Sequence, residues 1–169
     1  MVTKQGGTEL LQHPVAQKLL ASNSPARLAY SWTDGSPRVV PMWFHWDGEN
    51  VVFAGPPAAP KAQALRKDPR VAITIDQADW PYKTLLLRGQ AILDEVPGIA
   101  PEYVIAATKY MGAEQGAAWV KQAGQLGQSM LRIRVRPEWA GILDFETRFP
   151  SALEKAMEAA GAAAGAGAS

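Results

Sequence analysis

Arg38-Val39-Val40-Pro41-Met42-Trp43-Phe44-His45-Trp46 carries more of the fold than any other stretch of this chain. It is almost wholly apolar and aromatic, which predicts a single strand covered on both faces. Pro41 cannot donate to a ladder, so the strand lies at an edge, at a bulge, or beside something that is not a strand. Before it, Thr33-Asp34-Gly35-Ser36 predicts a tight hairpin back to a strand over residues 26–32. After it, Asp47-Gly48-Glu49-Asn50 predicts a second turn into a strand over residues 51–54.

Outward from this meander the pattern alternates between short helices and strands. Leu10, Leu11, Val15, Leu19 and Leu20 recur near the 3.6-residue period and predict one helix over 8–21. Residues 61–67 predict a short helix closed by Asp68-Pro69. Strands are predicted over 71–75 and 82–94, the second bent at Gly89. Two helices, 101–111 and 115–123, are predicted to meet at Gly112, followed by strands over 130–136 and 139–145 and a helix over 151–160. Tight turns between consecutive strands mean antiparallel pairing. The expectation is a mainly β fold with flanking helices, one small barrel domain over 1–160, and a disordered Gly/Ala tail over 161–169.

The bulk properties narrow the function classes. The chain has 169 residues, enough for one domain with its own core. It has no cysteine, which excludes disulfides, thiolate metal sites and thiol catalysis and fits a reducing compartment. A formal net charge of +1 gives no general attraction to nucleic acid or anionic membrane. The polar start and the shortness of every apolar run, against the ~20 residues a span needs, give the expectation of a cytoplasmic protein with no membrane contact. Six tryptophans call for deep cores, interfaces or flat ligands to cover them.

Several motifs in this order resemble the pyridoxamine 5'-phosphate oxidase-like split β-barrel family of flavin- and F420-dependent oxidoreductases. They are Ala26-Arg27-Leu28-Ala29 with Asp34-Gly35-Ser36-Pro37, then Val39-Val40-Pro41-Met42-Trp43-Phe44, then Trp46-Asp47-Gly48 with Val52-Phe53. The run Lys61 to Val71 and Leu87-Arg88-Gly89-Gln90-Ala91 complete the set. The resemblance implies an FMN-binding type of split barrel working as a homodimer. It implies hydride transfer to or from a small organic substrate at the dimer interface, with FMN or F420 as cofactor. By the same resemblance the cofactor ring lies along Val39, Val40, Pro41, Met42 and Trp43, Lys61 contacts its phosphate, and Trp80 stands near its mouth. Arg88 is a further candidate for its anionic end. Gly55 and Pro60 stand where the family carries a hydroxyl residue and an arginine, which leaves FMN and F420 both open. The alternative is a non-catalytic binder of a flavin, deazaflavin or tetrapyrrole.

Other residues carry less. Arg132, Arg134 and Arg136 share one strand face and read either as an anion grip or, more ordinarily, as a solvated sheet face. With the aromatics they raise a third reading, a nucleic-acid-binding barrel, which the near-neutral charge opposes. His13 and His45 lack metal-ligand spacing, so no metal is expected. Tyr82, Lys83, Tyr103, Lys109 and Tyr110 are possible proton donors with nothing to rank them. The expected partners are a second copy and a small-molecule substrate, with no nucleic acid. The substrate, the catalytic residue and the direction of electron flow stay open.

Overall fold

The computed structural model describes residues 5–166. Its centre is a single antiparallel sheet of seven strands in the order β2-β1-β5-β6-β7-β4-β3. The strands are β1 (Ala26–Ser31), β2 (Pro37–Met42), β3 (His45–Trp46), β4 (Val51–Gly55), β5 (Arg70–Gln77), β6 (Lys83–Pro97) and β7 (Ser129–Leu143). Helices α1 (Pro14–Ala21), α2 (Pro60–Lys67), α3 (Pro101–Met111), α4 (Ala113–Ala123) and α5 (Ser151–Ala166) flank it.

The two edge strands, β2 and β3, are consecutive in the chain and separated only by Trp43 and Phe44. Three Cα steps span at most ~11 Å. Seven strands laid flat would hold their outer members ~29 Å apart. The sheet therefore curls until its edges meet, consistent with a split barrel. The edges meet through the chain itself, without a ladder between β2 and β3. Phe44 is fully buried at the crossing.

This crossing corrects the single strand expected over 38–46. The chain leaves one sheet edge for the other at Trp43-Phe44, so pairing must break there. Pro41 lies on an edge strand, one of the positions open to it, opposite Arg27. Coverage on both faces does not hold within one chain, since Val39 is 63% exposed. Leu28, Ile73 and Leu87 point inward along one cross-strand row and are buried.

The separate strands expected over 130–136 and 139–145 are one strand, β7. Pro137 does not end it because it sits at a bulge, where Arg88 faces Trp139 and Gly89 faces Pro137, leaving Glu138 unpaired. There β6 and β7 bend together. β5 pairs along the Lys83–Gln90 part of β6, while β4 pairs with the first half of β7. The second half of β7 has its open edge satisfied by the N-terminal segment. Gly6 N–H donates to Ala140 O at 2.8 Å, and the Gln5 amide exchanges hydrogen bonds with both backbone groups of Ile142.

The helix expected over 8–21 is a 3₁₀ turn, Thr8–Gln12, followed by α1. His13 divides them: its Nδ1 accepts from the Val15 N–H at 3.2 Å, and Pro14 occupies the first helical position. At the other end α5 continues to Ala166, past the boundary expected at residue 160. Residues 167–169 of the expected tail lie outside the described residues. No helix among the described residues is long and apolar enough to cross a membrane.

Gly89 is the sharpest test of this geometry. A Cβ there would stand 2.4 Å from the Arg136 carbonyl oxygen, a backbone atom that cannot turn aside. Gly89→Ala is expected to cost about 2 kcal/mol or more, read as a lower urea midpoint at unchanged slope.

Candidate functional site

The first site is a hollow at the start of α2. Met42 at the end of β2, Gly55 and Pro56 at the end of β4, Lys61 on the first turn of α2, and Leu131 and Ile133 on β7 line it. Pro60 starts the helix because its missing N–H costs nothing there. Ala59 before it provides no side-chain cap. Lys61 is half-buried, and no ion pair or side-chain hydrogen bond engages it among the described residues. Burial pushes its pKa below the ordinary lysine value. An ammonium desolvated and left without a counter-charge is unfavourable until an anion joins it.

The residues expected to line a site fall into three groups. Met42 and Lys61 meet at this hollow. Val39, Val40 and Pro41 run along the edge strand, whose far side has no ladder partner among the described residues. Trp43 turns away into an aromatic cluster. It stacks on Tyr110 with centroids 5.4 Å apart and planes within 7°, and meets Tyr103 at 6.3 Å and Trp119 edge-on at 6.4 Å.

Arg88 and Trp80 stand elsewhere. Arg88 belongs to an outward-facing row that crosses the sheet through Val39, Ala29, Ala72 and Arg88 to Trp139. Its guanidinium lies 4.1 Å from the centre of the Trp139 ring. Trp80 is 74% exposed in the loop between β5 and β6, beside Tyr82 and Phe145. Within one chain neither side chain lines the Lys61 hollow.

The family model for pyridoxamine 5'-phosphate oxidase matches residues 13–133. The chain belongs to this family. Among solved structures, it is similar to an F420 reductase at 28% identity, covering 74% of this chain and 94% of that one, with a TM-score of 0.58. A conserved hypothetical protein from Mycobacterium tuberculosis shares 21% identity over 85% of this chain and 91% of its own, with a TM-score of 0.64. The heme storage protein HutZ from Vibrio cholerae shares 21% identity over 78% of this chain and 93% of its own, with a TM-score of 0.56. At that identity the last two show the fold alone. No curated protein matches the chain.

In this member of the pyridoxamine 5'-phosphate oxidase family the arginine face of β7 is taken up by carboxylates. Arg132 bridges Asp94 at 2.6 Å and Glu102 at 3.1 Å, Arg134 reaches Asp94 at 3.3 Å, and Arg136 pairs with Glu49 at 2.6 Å. The first of these ties α3 to the sheet. The face is ion-paired, as a solvated sheet surface would be. No group of three or more metal-ligating side chains occurs among the described residues.

Two features escaped the sequence reading. Tyr103, Ala107 and Tyr110 share one face of α3 by their spacing, which was the available signal for the aromatic cluster over Trp43. Trp119 joins it from α4, donating from Nε1 to the Tyr103 hydroxyl at 2.7 Å. Lys109 lies 3.8 Å over the Phe44 ring and 4.8 Å from that of Tyr110, with no carboxylate paired to it among the described residues.

Burial pushes Lys109 down to about 8. Burial also raises Tyr110 to about 12. Between about pH 8 and the ordinary lysine range, the unfolded chain therefore holds a proton on Lys109 that the folded chain has released. Stability rises with pH through that window. Lys109→Met is expected to flatten the rise, measured as a smaller gain in urea midpoint between about pH 8 and about pH 10 than the parent protein shows.

Proposed function

We propose that this chain is an oxidoreductase that holds coenzyme F420, or FMN, where two copies of the chain meet, and acts on a small organic substrate there. The observation that carries the reading is Lys61: half-buried, unpaired and placed at the uncapped start of α2. Its surroundings suit the anionic end of a flavin-type cofactor. The unpartnered edge of β2 over Val39 to Met42 suits the polar rim of a flat ring. Bound there, the reduced cofactor supplies a hydride, while the protein positions it and excludes water.

The loop itself favours the deazaflavin. Pro56, Pro57 and Pro60 offer no N–H, and Gly55 offers no hydroxyl, so a terminal phosphate would find few donors besides Lys61. The likeness to an F420 reductase supports the same choice. A second copy would cover the outward row that runs through Val39, Ala29 and Ala72, which is apolar and leaves Val39 63% exposed. Arg88 and Trp80 would then be the partner-facing contributions to the site.

Equilibrium fluorescence titration with F420 and separately with FMN tests the reading. F420 is expected to bind more tightly than FMN, and Lys61→Ala to weaken it about tenfold or more, the loss of one charge-assisted contact. Sedimentation is expected to give a dimer. Binding without turnover toward any electron acceptor would favour the non-catalytic carrier, and binding of neither cofactor would overturn the proposal.

A further inference from the structure

A second cavity of about 240 Å³ lies between the α3–α4 hairpin and the loop that follows β4. Gly55 and Pro56 line both it and the Lys61 hollow, a recess of about 10 Å³, so the two share a wall. Pro57, Ile99, Trp119, Leu126 and Met130 make its apolar sides, and no charged side chain among the described residues lines it. An apolar cavity of about 150 Å³ is enough to take up benzene, so this one has room for a second fused ring. Leu126, at its rim, is 80% exposed, an apolar side chain held in water beside an apolar opening.

The polar groups within it are few and already directed. Ser129 donates its hydroxyl proton to Glu95. The Tyr103 oxygen accepts from Trp119 Nε1, and the Tyr103 hydroxyl proton is donated to no group among the described residues. A hydroxyl that already accepts has its proton left to give. The cavity thus offers flat apolar walls and one donor.

The hairpin keeps these walls in place. A Cβ on Gly116 would fall 2.9 Å from the Ala107 backbone, so the two helices approach as closely as only glycine allows. The Arg132–Glu102 ion pair fastens α3 to β7 beneath them.

We infer that this cavity binds a neutral, flat, two-ring aromatic molecule carrying one acceptor oxygen, which takes its hydrogen bond from Tyr103. The wall shared with the Lys61 hollow makes it the substrate compartment of the oxidoreductase, a role that rests on the function proposed above. An anion of the same shape would lose its hydration against apolar walls and gain no counter-charge.

The test is calorimetric titration of the full chain, without cofactor, using α-tetralone and 1-naphthoate as probes. α-Tetralone is expected to bind at least about tenfold more tightly than 1-naphthoate. Ala123→Trp, which fills the cavity, is expected to abolish that binding. Leu126→Asp, at an exposed position that the fold does not need, is expected to weaken it about tenfold. Tyr103→Phe should weaken α-tetralone several-fold. Equal affinity for the two probes, or undiminished α-tetralone binding in both Ala123→Trp and Leu126→Asp, would overturn the inference. F420 titration of the same proteins separates the two proposals. F420 binding without α-tetralone binding sinks only the cavity assignment, whereas α-tetralone binding without F420 binding sinks only the cofactor reading.

Discussion

Two residues, Trp43 and Phe44, close this molecule. Because they alone separate the first and last strands of the sheet, the other strands must curve through whatever arc brings those edges within reach. The bulge at Gly89 supplies the bend in the longest hairpin, and the staggered attachment of β5 and β4 to different halves of it supplies the tilt. Phe44 points into the core and Trp43 to the outside, where α3 covers it. The same crossing leaves the outer edge of β2 without a ladder partner and puts Met42 beside Lys61.

The balance of charge follows from that arrangement. The arginines of β7 are matched by Asp94, Glu102 and Glu49, and Arg27 by Asp76. Of the half-buried lysines, Lys83 pairs with Glu146, whereas Lys61 and Lys109 have no carboxylate among the described residues. Lys109 has instead the faces of Phe44 and Tyr110, which suit a cation. Lys61 has an apolar hollow only. Both ammonium groups are desolvated by the fold, Lys109 against aromatic faces and Lys61 against an apolar hollow.

Much of this was legible because local chemistry agreed with the global fold. Asp34-Gly35 and Asp47-Gly48 placed the hairpins, Gly89 the bulge, and Gly112, at φ +82°, the break between α3 and α4. Pro41 announced an edge, a bulge or a neighbour that is not a strand, and the fold uses the first. What stayed hidden depended on contacts distant in sequence. Residues 38–46 read as one strand because no local signal marks a change of sheet edge. Residues 130–136 and 139–145 read as two strands because the bulge that joins them across Pro137 needs Gly89, far away in the chain. His13 was weighed only for metal-ligand spacing, although the following proline pointed to a helix start. Of the residues assigned to the site, Met42 and Lys61 meet within one chain. Arg88 and Trp80 do not join them, and a strand pattern in one copy carries no information about surfaces between copies.

The α3–α4 hairpin hangs from a finished ladder. β6 and β7 remain paired down to Pro97 and Ser129, and the Gly98 N–H closes on the Gln128 carbonyl at 2.8 Å. The thirty or so residues that follow Gly98 are, to the barrel, one long loop. Such a cassette can be lengthened, shortened or exchanged in descent while the frame that holds Lys61 stays as it is. In this protein the hairpin that walls the second cavity and the ladder that keeps the fold can change independently.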